Sequence, residues 1–84
     1  MSTPDSLFRL RLAVIGVGAF GRNHARVLRE LASEQPVELV AVVDADPARG
    51  SAIAKEFGTR DFLSVDDLLA AEELDAAVVA VPTV

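Results

Sequence analysis

The sequence predicts an α/β fold built on a parallel sheet, and three observations carry that expectation. Short apolar runs, several ending in valine or isoleucine, recur along the chain and suit strands buried on both faces. Between them lie stretches of roughly 10 to 15 residues with helical character, the length that parallel strands need for their right-handed crossovers. Helix-start and helix-stop residues stand at the joints. The order is β-α-β-α-β-α-β in 84 residues, room for one small domain.

Residues 1–9 are expected to be a flexible N-terminal tail, since Met1 to Ser6 are mostly small and polar. Leu10 to Ile15 is the first strand. From Ala19 the period changes: Phe20, His24, Val27, Leu28 and Leu31 are expected on one helical face packed against the sheet, with Arg22, Arg26, Arg29 and Glu30 pointing elsewhere. Ser33 to Pro36 ends that helix, and "VELVAVVD" (Val37 to Asp44) is a second buried strand. A bounded helix follows, with Asp46 as N-cap, Pro47 at its first position and Gly58 just past its end. Gly50 inside it costs about 1 kcal/mol relative to alanine, so packing must hold this helix. Thr59 to Phe62 is a short third strand. Ser64 caps a third helix, with Asp66 and Asp67 in the first turn, where the dipole favours acids. Asp75 to Val81 is the fourth strand, stopped by Pro82. Left at the sheet edge, this apolar strand would expose unpaired backbone groups, so the 84-residue chain alone is expected to be marginal or to aggregate.

The net charge of −5 argues against nucleic-acid and anionic-membrane partners, which are bound through basic surfaces. No cysteine is present, which excludes disulfides, thiolate catalysis and thiolate metal sites. No metal site is expected, and no apolar run approaches the roughly 18 residues of a membrane span. The amino terminus carries no secretory or twin-arginine signal, so a cytoplasmic location is the expectation.

The stretch "LAVIGVGAFGRNHARVL" places Gly16, Gly18 and Gly21 between the first strand and first helix. That is the context in which G-x-G-x-x-G signals a dinucleotide site. Gly16 permits the tight turn, Gly18 lets a pyrophosphate approach the backbone, and Gly21 lets the helix pack close to the sheet. The N–H groups of the first turn then face the phosphates. An ordinary strand-to-helix turn is the competing account. Asp44, 23 residues beyond Gly21, ends the second strand near the spacing of about 20 expected for an acid on the adenosine ribose. A carboxylate there repels a 2′-phosphate, and Ala45 and Asp46 bring no arginine fork directly after it, so NAD is expected rather than NADP. A turn-capping role is the alternative for Asp44. Asp46 is better explained as a helix cap than as a ligand. Arg49 is either a solvated surface arginine or a side chain lying over the adenine base. His24 is expected to be a neutral, hydrogen-bonded histidine rather than a catalytic one, and Glu72, Glu73 and Asp75 a solvated turn.

Taken together, "AVIGVGAFGRNHARVL", "VAVVDADPARG" and "SVDDLLAAEELDAAVVAVPT" resemble the amino-terminal domain of the Gfo/Idh/MocA oxidoreductases, which include glucose–fructose oxidoreductase and inositol dehydrogenase. The resemblance runs from Leu10 to Val84. It implies a Rossmann-like, doubly wound sheet of order 3-2-1-4, with residues 10–84 as part of a dinucleotide-binding domain and the carboxy-terminal substrate domain absent. It further implies hydride transfer between a nicotinamide coenzyme and a hydroxyl-bearing carbon of a sugar or cyclitol, by a full-length protein that forms a homo-oligomer. Gly16, Gly18, Ala19, Phe20 and Gly21 would surround the pyrophosphate and Asp44 would hold the ribose. Val81, Pro82 and Thr83 would run beside the coenzyme, although Thr83 is equally well a loop residue. The family's catalytic lysine, in a Glu-Lys-Pro motif, has no counterpart: Lys55 is the only lysine and falls on the second helix. No catalytic residue is therefore assigned, and the chain alone is expected to be an inactive fragment. Two alternatives stay open, a stand-alone nucleotide-binding module without chemistry and an S-adenosylmethionine-binding domain of similar topology.

Overall fold

The structure, a computed structural model, describes residues 9–16 and 18–80, with positions 19 and 20 described by backbone alone. Four parallel strands and three helices alternate: β1 (Leu10–Ile15), α1 (Ala19–Leu31), β2 (Val37–Val43), α2 (Pro47–Phe57), β3 (Arg60–Phe62), α3 (Val65–Ala71) and β4 (Ala76–Val79). The strands lie in the order β3-β2-β1-β4. The expected order therefore holds, and each element lies where its capping residues place it. The expectations for residues 1–8, Val81, Pro82 and Thr83 lie outside the described residues.

Both faces of the sheet are covered. On one face Val14, Leu39 and Val42 pack with Ala25 of α1 and with Ile53 and Ala54 of α2. On the other, Ala13, Val40, Ala41 and Val43 pack with Leu68, the fully buried anchor of α3. Strict alternation would put Val40 and Ala41 on opposite faces. They share one because the β1–β2 register slips there, Leu12 pairing with Leu39 and Ala13 with Ala41, which leaves Val40 as the extra residue of a bulge. Beyond the slip, Val14, Val42 and Val78 line up on the α1/α2 face across three neighbouring strands.

The buried stripe of α1 differs from the one expected. Gly21 and Ala25 are buried and Leu28 is half-buried, whereas His24, Val27 and Leu31 are exposed. The expected stripe is displaced by one residue, about 100° of helix rotation. Small residues explain the choice: Gly21 and Ala25 let the helix axis come close to the sheet, which a row of large side chains would hold away. His24, expected against the sheet, is on the solvent side. Arg22 ties α1 to α2, pairing with Glu56 and lying 5.6 Å from the ring centre of Phe57.

The acids after α3 also differ from expectation. The Glu72 side chain is only 13% exposed and takes Arg11 Nη2 at 2.8 Å on one oxygen and Arg60 on the other. Arg11 also donates from Nε to the Glu73 carbonyl and from its main chain to Asp75. These carboxylates and carbonyls hold the chain entering β4 against β1 and are not simply a solvated turn. β4 forms one edge of the described sheet, and Val79 on it is 63% exposed.

Candidate functional site

The carboxyl ends of the strands meet in one row. Gly16 N–H donates to Val43, Asp44 N–H to Phe62 and Ala80 N–H to Ile15, at 2.7, 3.1 and 2.8 Å. From this row the chain leaves β1 toward α1 on one face, while α3 crosses the other face to reach β4. β1 thus leads into a helix on one face while β4 is entered from a helix on the other, so the connections change face at this pair, as at the topological switch point where open α/β sheets bind their ligands.

Three glycines shape this corner in different ways. Gly16 has φ +86°, a left-handed conformation that side chains strain to adopt, and turns the chain out of β1. Gly18 is the N-cap of α1, exposed, and a Cβ added to it would meet nothing within 4 Å. Gly21 is buried where α1 crosses the sheet. The first turn of α1 holds no acidic residue, and Gly18 has no side chain with which to cap it. The corner therefore offers open space and backbone donors, the conditions an anionic diphosphate requires. Ala19 and Phe20 follow in the first turn of α1.

Asp44 follows β2 immediately and is 8% exposed. Its Oδ1 accepts Asp46 N–H at 2.8 Å, an Asx turn that leads into α2. Arg49 closes on the same carboxylate with two donors, Nε to Oδ2 at 2.9 Å and Nη2 to Oδ1 at 3.2 Å. That hydrogen-bonded pairing pushes the Arg49 pKa above its ordinary value, so the guanidinium stays charged across the neutral range. No arginine fork directly follows Asp44 in sequence, yet the fold supplies one from five positions on. Arg49 is accordingly more than a solvated arginine, although half of its side chain is exposed.

Its placement has a local cause. Asp46 caps α2 by accepting Ala48 and Arg49 N–H, which sets Arg49 in the first turn. Helical Cα–Cβ bonds tilt toward the N-terminus, so a long side chain there reaches back to the end of the preceding strand. That tilt was the available signal for a contact sequence reasoning missed. Asp46 is confirmed as the cap, with Pro47 after it and Gly58 closing the helix at φ +66°.

A cleft of about 460 Å³ lies at the opposite end of the sheet, lined by Arg9, Arg29, Glu38, Phe57 and Gly58 among others. Both arginines there already donate to backbone carbonyls, of Val37 and Phe57. It is remote from the glycine corner. Among the described residues no group of histidine, cysteine and carboxylate side chains could hold a metal ion, and no helix is long and apolar enough to cross a membrane.

Comparison with known proteins agrees with this geometry. Inositol 2-dehydrogenase of Leifsonia xyli is 38% identical over 81 residues, covering 96% of this chain and 22% of that protein. UDP-N-acetylglucosamine 3-dehydrogenase of Acidithiobacillus ferrooxidans is 38% identical over 77 residues, covering 92% of this chain and 22% of its own length. Among solved structures, the dehydrogenase WlbA of Chromobacterium violaceum, in complex with NADH and UDP-GlcNAcA, superposes with a TM-score of 0.79 at 31% identity, over 95% of this chain and 22% of that one. The chain thus spans about a fifth of the length of the relatives it matches. The Gfo/Idh/MocA family, described as an oxidoreductase family with an NAD-binding Rossmann fold, matches residues 10–84, which favours neither the stand-alone module nor the S-adenosylmethionine alternative. With its glycine corner, its strand order and this match all in agreement, the chain belongs to the Gfo/Idh/MocA oxidoreductase family and has its NAD-binding Rossmann fold.

Proposed function

We propose that this domain holds NAD, in preference to NADP, for a dehydrogenase that oxidises a hydroxyl-bearing carbon of a sugar, sugar nucleotide or cyclitol. The observation that carries the coenzyme preference is the nearly buried Asp44 carboxylate at the end of β2, directly after Val43, whose carbonyl accepts Gly16 N–H. Gly16, Gly18, Ala19, Phe20 and Gly21 receive the diphosphate on backbone donors and on the positive end of the helix dipole. Asp44 accepts the adenosine ribose hydroxyl, where a 2′-phosphate would bring a second negative charge against it. Arg49 adjoins the same ribose. Val81, Pro82 and Thr83, which follow β4 in the sequence, complete the proposed set of coenzyme residues. The bound nicotinamide supplies the hydride-accepting ring, and no residue of this chain is assigned a proton-transfer role. The substrate class rests on the relatives' names, which include inositol and UDP-N-acetylglucosamine dehydrogenases.

Titration of NADH and NADPH by nicotinamide fluorescence tests the coenzyme reading. NADH is expected to bind more tightly, by roughly three- to tenfold, since Asp44 repels a 2′-phosphate while Arg49 beside it offsets part of that charge. Equal affinities overturn it.

A further inference from the structure

We propose that Arg49 is an internal occupant of the ribose-accepting face of Asp44, and that the coenzyme binds by exchanging an adenosine ribose hydroxyl for that guanidinium. The inference rests on the reading of Asp44 as the ribose acid. It begins with a count of donors. A carboxylate oxygen has two lone pairs. Asp44 Oδ1 already accepts two donors, Asp46 N–H at 2.8 Å and Arg49 Nη2 at 3.2 Å. Oδ2 accepts Arg49 Nε at 2.9 Å. The two guanidinium bonds run side by side across the carboxylate, the bridging face that a pair of ribose hydroxyls would also use. A ribose cannot take that face while Arg49 holds it.

Of these donors from the described residues, Arg49 is the one built to move. Asp46 N–H is main chain in the turn that starts α2, pinned by its own side-chain cap and by Pro47. Arg49 carries a long, flexible side chain that is half exposed, so its charge can be hydrated once released. Exchange also keeps the nearly buried carboxylate satisfied throughout, by the guanidinium before binding and by the ribose after it. An occupant of this kind lowers apparent affinity by the fraction of molecules in which the face is open.

The test is calorimetric titration of the full chain with NAD and with the NAD analogue lacking the adenosine 2′-hydroxyl, for the wild type, Arg49→Gln, Arg49→Lys and Asp44→Asn. Arg49→Gln is expected to melt lower without ligand yet bind NAD about three- to tenfold more tightly, as an open fraction of roughly 10–30% implies. The analogue is expected to change less than twofold, so the preference for NAD widens. Arg49→Lys, with a point charge in place of the planar fork, gives a smaller widening and supplies the readout should the glutamine variant not fold. Equal changes for both ligands would mean that Arg49 acts elsewhere on the coenzyme, and a weaker, narrowed preference would mean that it orients Asp44. Either overturns the exchange. Asp44→Asn is expected to abolish the preference. If it keeps the wild-type preference, the ribose reading itself fails and the exchange falls with it, a pattern distinct from failure of the exchange alone.

Discussion

Helices α1 and α2 both begin where a parallel strand ends, and both pack on the same face of the sheet, but their first turns find acceptors in different places. In α2 the side chain of Asp46 accepts Ala48 and Arg49 N–H, and Pro47 removes one donor altogether. Across the sheet α3 behaves like α2, with Ser64 accepting Asp67 N–H and two aspartates in the first turn. The first turn of α1 has neither device: its N-cap is Gly18 and it holds no acid. A capping side chain is worth about 1 kcal/mol over alanine but only a few tenths over glycine, so a glycine cap leaves the first-turn donors open at little cost to the fold. The contrast teaches that α2 and α3 are capped by their own side chains, whereas the first turn of α1 is left without one, as the proposed diphosphate position requires.

The most forceful way to break the contrast is to give α1 its own cap. Gly18→Asp adds a Cβ that meets nothing within 4 Å, so the fold should accept it, with thermal stability changed by less than about 0.5 kcal/mol. Coenzyme affinity should fall by about a hundredfold or more, because the new charge occupies and repels the diphosphate position. Calorimetric titration with NAD beside a melting curve separates the two effects. Unchanged affinity in the aspartate variant would move the diphosphate away from α1.

The same contrast accounts for what was legible beforehand. Caps are local chemistry: Asp46, Gly58 and Ser64 announced the bounds of α2 and the start of α3 because each acts on backbone groups within a few residues. The glycine corner was legible for the same reason, since its meaning depends only on the strand before it and the helix after it. The rotation of α1 was not. Counting large residues favoured a stripe through His24, Val27, Leu28 and Leu31, of which only Leu28 is partly buried; close approach to the sheet favours small residues, and Ala25 joins the expected Gly21 on the buried face. Arg49 on Asp44 and Arg11 between Glu72 and Glu38 were equally hidden. Those pairs join a helix to a strand end, or strands to a loop and to one another, and no periodicity within one element records them.

Glycine 16 offers the next largest effect. Its φ of +86° lies where alanine is strained, so Gly16→Ala should cost roughly 1–2 kcal/mol, read as a lower melting temperature. Coenzyme affinity should weaken with it, since the turn aims the first N–H groups of α1. If alanine is tolerated without loss, the corner does not depend on that conformation.

Glycine 50 should respond to the same substitution with the opposite sign. It lies inside α2, where φ is ordinary, and its cost is the backbone freedom it surrenders on folding. A Cβ there would stand 3.6 Å from the Cβ of Asp44 and 3.7 Å from both the Cβ and Oδ2 of Asp61, which are ordinary contacts requiring no displacement. Gly50→Ala is therefore expected to stabilise the chain by about 0.5 kcal/mol, and at most about 1. The added methyl group meets Asp44 at its Cβ, so NAD affinity should stay within about twofold, about 0.4 kcal/mol. Denaturant melts of the Gly16 and Gly50 variants, run side by side, decide whether glycine in this chain serves the coenzyme corner or is scattered without regard to it. A loss of stability at both positions would mean that the Asp44–Asp61 surface leaves α2 less room than its backbone geometry indicates.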